Sequence, residues 1–197
     1  GLTETQTNEW IKVKGRFKEI TFVEPVEQLL QLASKQLKEE RKINDANNIE
    51  PLYRLAKETG YVSNDFPLET AKQLFPLDSF SAYTITKAIQ RYGQNERSLF
   101  TFLAAKGSNS ISEFEPAKQL TYNLQKVYDY ILYNFYSYLK DANADSMSWS
   151  TIQVSIERVE GQEWDSKEDM SQAVNLVKAI GLLNLFGTAG FKLTAEH

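Results

Sequence analysis

Polar residues gather directly ahead of a short apolar run in the stretch YGQNERSLFTFL, residues 92–103. Asn95 is a residue type that caps helices, because its side chain accepts a hydrogen bond from a first-turn N–H group. Arg97 would then lie in the first turn, where unpaired backbone N–H groups and the helix dipole attract anions. The pattern predicts an anion contact at Asn95 and Arg97. The alternative is an ordinary cap with a surface ion pair at Glu96.

Residue types needed for several common chemistries are missing. The chain has no cysteine, and its single histidine is the last residue, His197, so thiolate metal sites and histidine-based triads are excluded. Neither a G-x-x-x-x-G-K-[ST] loop nor a G-x-G-x-x-G motif occurs. Acidic pairs such as Glu157 and Glu160 are typical of a solvent-exposed surface. We therefore predict no catalytic residue, no metal site and no enzymatic activity of the chain by itself.

Charge and hydropathy narrow the classes of partner. At 197 residues and 42% hydrophobic composition, the chain can bury a substantial core, but its net charge of −4 gives no general affinity for phosphate backbones. Residues 141–197 carry four basic side chains against nine acidic ones, which disfavours DNA binding by this part. No apolar run is long enough for a membrane helix, and we expect a soluble, cytoplasmic protein.

Apolar periodicity predicts a mainly α-helical chain. Residues 10–23 alternate as one or two strands, and an amphipathic helix begins after Pro25. Shorter helices should end at Gly60, lie near 67–74 and end at a left-handed Gly93, with loops over 42–50 and 107–116. The longest helix is predicted over 117–141. Its buried stripe comprises Leu120, Leu124, Val127, Ile131, Phe135 and Tyr138.

The sequence DANADS, residues 141–146, breaks this pattern and predicts a domain boundary. Two further helices follow, and residues 183–194 are expected to form a hairpin that turns on Gly187 and Gly190. Two helices and a glycine-turned hairpin are typical of a winged-helix unit. We thus predict a strand region over 1–23, a helical lid-like bundle over 24–141 and a winged-helix-like domain with a small β-hairpin over 142–197.

The stretch YGQNERSLFTFL resembles the start of a lid helix in AAA+ ATPases of the initiator and STAND-like branches. In that family, a Gly-Asp-Ala-Arg type motif carries the second-sensor arginine, which would correspond to Arg97 with Asn95 beside it. GRFKEITFVEPVEQLLQLASKQL, residues 15–37, is similar to a last core strand running into the first lid helix. The resemblance covers most of the chain and implies the C-terminal part of a large bacterial P-loop ATPase. Arg16 is then a candidate inter-subunit arginine finger.

This resemblance implies a non-catalytic lid and winged-helix portion that couples nucleotide state to domain movement. An upstream P-loop core would be its partner, and the parent protein would bind ATP and Mg²⁺, whereas this chain binds no cofactor. The alternative is a freestanding helical protein-interaction module that docks through the tyrosine-rich segment 122–139 or through the acidic winged helix. A DNA-binding regulator is the third and least favoured reading.

Overall fold

A computed structural model describes residues 24–40, 49–93, 99–115, 120–140, 144–188 and 191. All regular secondary structure in these residues is helical, which confirms the mainly α fold class. The α-helices are α1 (Val26–Glu40), α2 (Ile49–Glu58), α3 (Leu68–Gln73), α4 (Ser79–Tyr92), α5 (Leu99–Ala104), α6 (Leu124–Lys140), α7 (Ser146–Glu160) and α8 (Lys167–Phe186). A short 3-10 turn covers Ile111–Glu113.

Helix α4 lies at the centre of the molecule and packs against α1, α2, α6 and α8. It is buried along nearly its whole length, and its serine, alanine and threonine residues give neighbouring helices room to approach. Its N-terminus is capped by Asp78, whose Oδ1 accepts a hydrogen bond from the Ser81 N–H at 2.9 Å. The central helix therefore has a defined start at the point where α6 also begins.

Helix α6 begins later than the predicted residue 117. Residues 120–123 are not helical, and the Tyr122 N–H donates to the Pro76 carbonyl at 2.7 Å, next to an isolated bridge between Leu77 and Tyr122. Asn123 then accepts a hydrogen bond from the Lys126 N–H, as a capping residue does. Leu120 is consequently 71% exposed, and its place in the predicted buried stripe was wrong. The remainder of the stripe is buried or half-buried.

The predicted first strand of the hairpin is also wrong, because Leu183–Phe186 form the last turn of α8. A helix that continues to Phe186 places Leu182, Leu183 and Phe186 in the core, and this burial outweighs the turn signal of the glycines. Gly187 ends the helix with a φ of −58°. The described residues contain no strand, while residues 189–190 and 192–197 lie outside them.

Two predicted helix boundaries need smaller corrections. Gly93 ends α4 with a φ of −71° instead of a left-handed conformation, and its N–H donates to the Ile89 carbonyl. Ile49 and Glu50 open α2, so the predicted loop over 42–50 does not reach these two residues. The predicted strands over 10–23 lie outside the described residues.

Helices on the two sides of the predicted boundary at 141–146 contact each other. The rings of Trp149 and Phe186 lie 6.2 and 5.9 Å from the ring of Tyr92, measured between centroids. Lys178 of α8 also donates to Asp129 of α6 at 2.7 Å. The division into units 1–23, 24–141 and 142–197 stays a prediction.

Candidate protein-interaction surface

The three residues singled out from the sequence lie outside the described part of the chain. These are Arg16, Asn95 and Arg97. The anion contact, the second-sensor role and the arginine finger therefore stay predictions, and no nucleotide-binding step is assigned to the described residues. Across the described ranges, no group of three or more histidine, cysteine, aspartate or glutamate side chains is placed to hold a metal ion.

A hydrogen-bonded network lies at the C-terminal end of α4, directly before residues 94–98. Tyr92 donates to Oδ2 of Asp145 at 2.9 Å and accepts from the indole N–H of Trp149 at 3.0 Å. Arg91 donates to the same carboxylate oxygen at 3.1 Å. Burial raises the pKa of the Tyr92 hydroxyl above its ordinary value. Sequence reasoning missed this network, because Arg91 and Tyr92 lie more than fifty positions before Asp145 and Trp149, and the two pairs share no motif.

The tyrosine-rich segment 122–139 is mostly part of the core. Tyr128 and Tyr130 are buried, and burial raises the pKa of Tyr128 to about 12. The ammonium group of Lys178 lies 5.4 Å from the centre of the Tyr128 ring, which fixes α8 to α6. Tyr133 and Tyr136 are the large exposed hydrophobic residues of this helix. Two exposed rings do not make the continuous stacking surface of a nucleic-acid platform.

Lys87 is a partly buried amine, but its contacts are structural. Its Nζ donates to the Phe186 carbonyl at 2.9 Å and lies over the rings of Tyr61 and Tyr83. Burial lowers the pKa of this amine. A cation on one of the last carbonyls of α8 stabilises the end of that helix. Lys87 therefore ties α8 to α4 and is not positioned as a nucleophile.

An apolar groove opens where the start of α4, the start of α6 and the middle of α8 meet. Its volume is about 650 Å³. Leu120 and Leu176, on two of its sides, are 71% and 61% exposed. We call it the amide-rimmed groove, and its lining comprises Leu52, Asp78, Phe80, Leu120, Thr121, Asn123, Leu124, Gln125, Gln172, Asn175, Leu176 and Ala179.

The polar groups of the amide-rimmed groove are almost all neutral. Within the described residues, the side-chain amides of Gln125, Gln172 and Asn175 form no hydrogen bond, and each can both donate and accept. Asp78 is buried, and its two carboxyl oxygens accept from the Ser81 N–H and the Thr121 hydroxyl. Burial raises the pKa of this carboxyl. The groove can thus receive apolar side chains together with uncharged donors and acceptors.

Comparison of the chain with protein-family models, curated proteins and solved structures found no match. Among the helices described, none has both the length and the apolar character to cross a bilayer.

Proposed function

We propose that this chain is a helical protein-interaction module whose docking site is the amide-rimmed groove. The observation that carries the proposal is the pair Leu120 and Leu176, two strongly exposed leucines beside a concave apolar surface. Scattered exposed leucines need no explanation, but apolar side chains grouped around a groove are typical of a binding surface.

The chemistry of the lining selects an uncharged, extended segment of a partner protein. A helix has already satisfied its backbone hydrogen bonds, whereas an extended segment presents N–H and C=O groups that Gln125, Gln172 and Asn175 can pair. Alternate side chains of that segment would enter the apolar part of the groove. Nucleic acid is disfavoured as the occupant, because the lining includes no lysine or arginine.

A peptide titration tests this proposal. The probe is an acetylated and amidated peptide of alternating serine and leucine, and its matched control has glutamate in place of each leucine. We expect the leucine peptide to shift the side-chain amide resonances of Gln125, Gln172 and Asn175 in ¹⁵N-resolved NMR spectra. Equal shifts with the glutamate peptide, or shifts confined to other surfaces, would contradict the proposed site.

The lid of a P-loop ATPase is the second candidate function, and the network at Tyr92 favours it. If phosphate contacted Arg97 in a longer parent protein, a displacement of residues 94–98 would act on Arg91 and Tyr92. Asp145 and Trp149 would pass that displacement to α7. ATP and Mg²⁺ would be held by an upstream core. In this function α7 and α8 would be the moving unit, without the hairpin.

Two measurements distinguish the lid from the freestanding module. For the lid, Arg97→Ala in a parent ATPase should lower turnover with little effect on folding, and peptide binding should depend on nucleotide. Arginine fingers are worth roughly 10³–10⁵ in rate, and a sensor is expected to contribute less.

ATP hydrolysis by this chain alone would exclude the lid function. A DNA-binding regulator would instead show a salt-sensitive shift of DNA mobility.

A further inference from the structure

A second groove lies between α7 and α8, away from the proposed docking site. Its volume is about 720 Å³, in the range of small-molecule sites. We call it the hydroxyl-lined groove. It is lined by Arg91, Asp145, Ser148, Thr151, Ile152, Ser155, Val177, Ile180, Gly181, Asn184 and Leu185.

Arg91 supplies a guanidinium that is only partly engaged. Its side chain is 43% exposed and lies over the Phe186 ring, while its Nη1 donates to Asp145 and to the Leu185 carbonyl. Within the described residues, its Nε and Nη2 form no hydrogen bond. The Asp145 side chain is 17% exposed and also accepts the Tyr92 hydroxyl. Arg91 can therefore offer Nε and Nη2 to a second anion.

The walls of the hydroxyl-lined groove favour an aliphatic body over a highly polar one. The hydroxyls of Thr151 and Ser155 donate to carbonyls of their own helix, both at 2.8 Å, so their protons are not available to a ligand anion. The facing side of α8 presents Val177 and Ile180, and Ile180 is exposed. A hydrocarbon chain would cover this wall, and Arg91 would hold a charged end.

We infer that the hydroxyl-lined groove binds an aliphatic monocarboxylate, with its carboxylate on Nε and Nη2 of Arg91. The planar fork of a guanidinium matches the two oxygens of a carboxylate. Bound carboxylate would weaken the contact between Arg91 and Asp145, and Asp145 is joined through Tyr92 to the Trp149 indole. Occupancy should therefore change the fluorescence of Trp149.

The probe for this inference is hexanoate, with hexanamide as the uncharged isostere and inorganic phosphate as the anion without a chain. Saturation-transfer NMR measures binding. Tryptophan fluorescence reports on Trp149 when the other two tryptophans are replaced, as in a Trp10→Phe and Trp164→Phe background. We expect hexanoate to bind roughly tenfold to hundredfold more tightly than hexanamide, as a charge-assisted hydrogen bond allows. Equal binding of hexanamide would overturn the role of Arg91. Phosphate binding as tight as that of hexanoate would overturn the aliphatic assignment.

Three variants locate the site. Arg91→Gln should abolish the preference for hexanoate over hexanamide, whereas Lys178→Gln, which removes a cation paired with Asp129 outside the groove, should keep it. Thr151→Phe should block the groove from an exposed position with Arg91 intact, so the test does not depend on the folding of one variant. Circular dichroism verifies each fold. Unchanged hexanoate binding by Arg91→Gln or by Thr151→Phe would contradict the inference.

Discussion

Asp78 joins the cap of the central helix to the floor of the amide-rimmed groove. Its carboxyl group receives a backbone N–H from Ser81 and a hydroxyl from Thr121, and both bonds favour the ionised form. Burial opposes them more strongly, so the pKa lies above the ordinary value of 3.8. The folded protein consequently holds a proton on Asp78 at a pH where the unfolded chain has released it.

The first prediction is that Asp78→Asn changes how stability depends on pH. Because the folded-state pKa is raised, the contribution of Asp78 to the free energy of unfolding falls as pH rises from about 3.8 through the raised value. Asparagine still caps the helix and does not titrate, so the variant should gain stability relative to wild type over that interval. Urea unfolding across the same pH range measures the difference. If the free energy of unfolding of Asp78→Asn instead falls relative to that of wild type as pH rises, the sign of the pKa shift is wrong.

Gly181 lets α7 and α8 approach closely. A Cβ built at this position would lie 2.6 Å from Cγ1 and 2.7 Å from Cδ1 of Ile152. We predict that Gly181→Ala lowers the free energy of unfolding by about 1–3 kcal/mol through overpacking. The double variant Gly181→Ala with Ile152→Ala should lose less free energy of unfolding than the two single variants lose in sum.

A matched control for Gly181 is Gly161→Ala, in the turn after α7. There the nearest atom to a new Cβ is the Glu157 carbonyl oxygen at 3.3 Å, and we expect a smaller loss of stability. Chemical denaturation of both variants and of the double variant provides the comparison. Equal losses at Gly161 and Gly181, or strict additivity with Ile152→Ala, would show that the helix contact does not require glycine.

At the scale of the elements, α4 and α7 are joined by one buried hydroxyl. Tyr92 and Trp149 are each only 3% exposed, and the Tyr92 oxygen accepts the indole N–H. We predict that Tyr92→Phe costs about 1–3 kcal/mol of stability, because the buried N–H is left without its acceptor. Tyr133→Phe, on the exposed side of α6, should stay within about 0.5 kcal/mol of wild type. Comparable effects of the two variants, measured by denaturation, would contradict this role.

Helices could be predicted from the sequence where one apolar face repeats over several turns, as from Leu124 to Phe135. Prediction failed where a long-range contact decides the boundary. The Tyr122 N–H donates to the Pro76 carbonyl, so a helix cannot run from residue 117 through residue 122. Helix α8 continues to Phe186 because the Phe186 ring packs on Tyr92. Gly93 marked the end of α4 but not its backbone conformation, and Gly187, predicted as the turn of a hairpin, ends α8 instead.

At the scale of the whole molecule, the amide-rimmed groove was not predictable from the sequence. Its amides come from α6 and α8, and Asp78 lies more than forty positions before either helix, so no local spacing joins them. The alternative of a docking module was predicted, but on the tyrosine-rich segment or the acidic winged helix. Leu120 was misassigned to the core for a physical reason: periodicity marks apolar residues and does not tell buried faces from binding faces.

Under the proposed function, Leu176 contributes to a docking site for an uncharged, extended segment. The most direct test of this contribution is the dissociation constant of the serine–leucine peptide for Leu176→Glu and for Met147→Glu. Both variants replace an exposed apolar residue with the same charge, and Met147, 82% exposed on α7, does not line the groove. We expect Leu176→Glu to weaken binding by about tenfold or more and Met147→Glu to leave it unchanged. Equal dissociation constants for the two variants would contradict the proposed function.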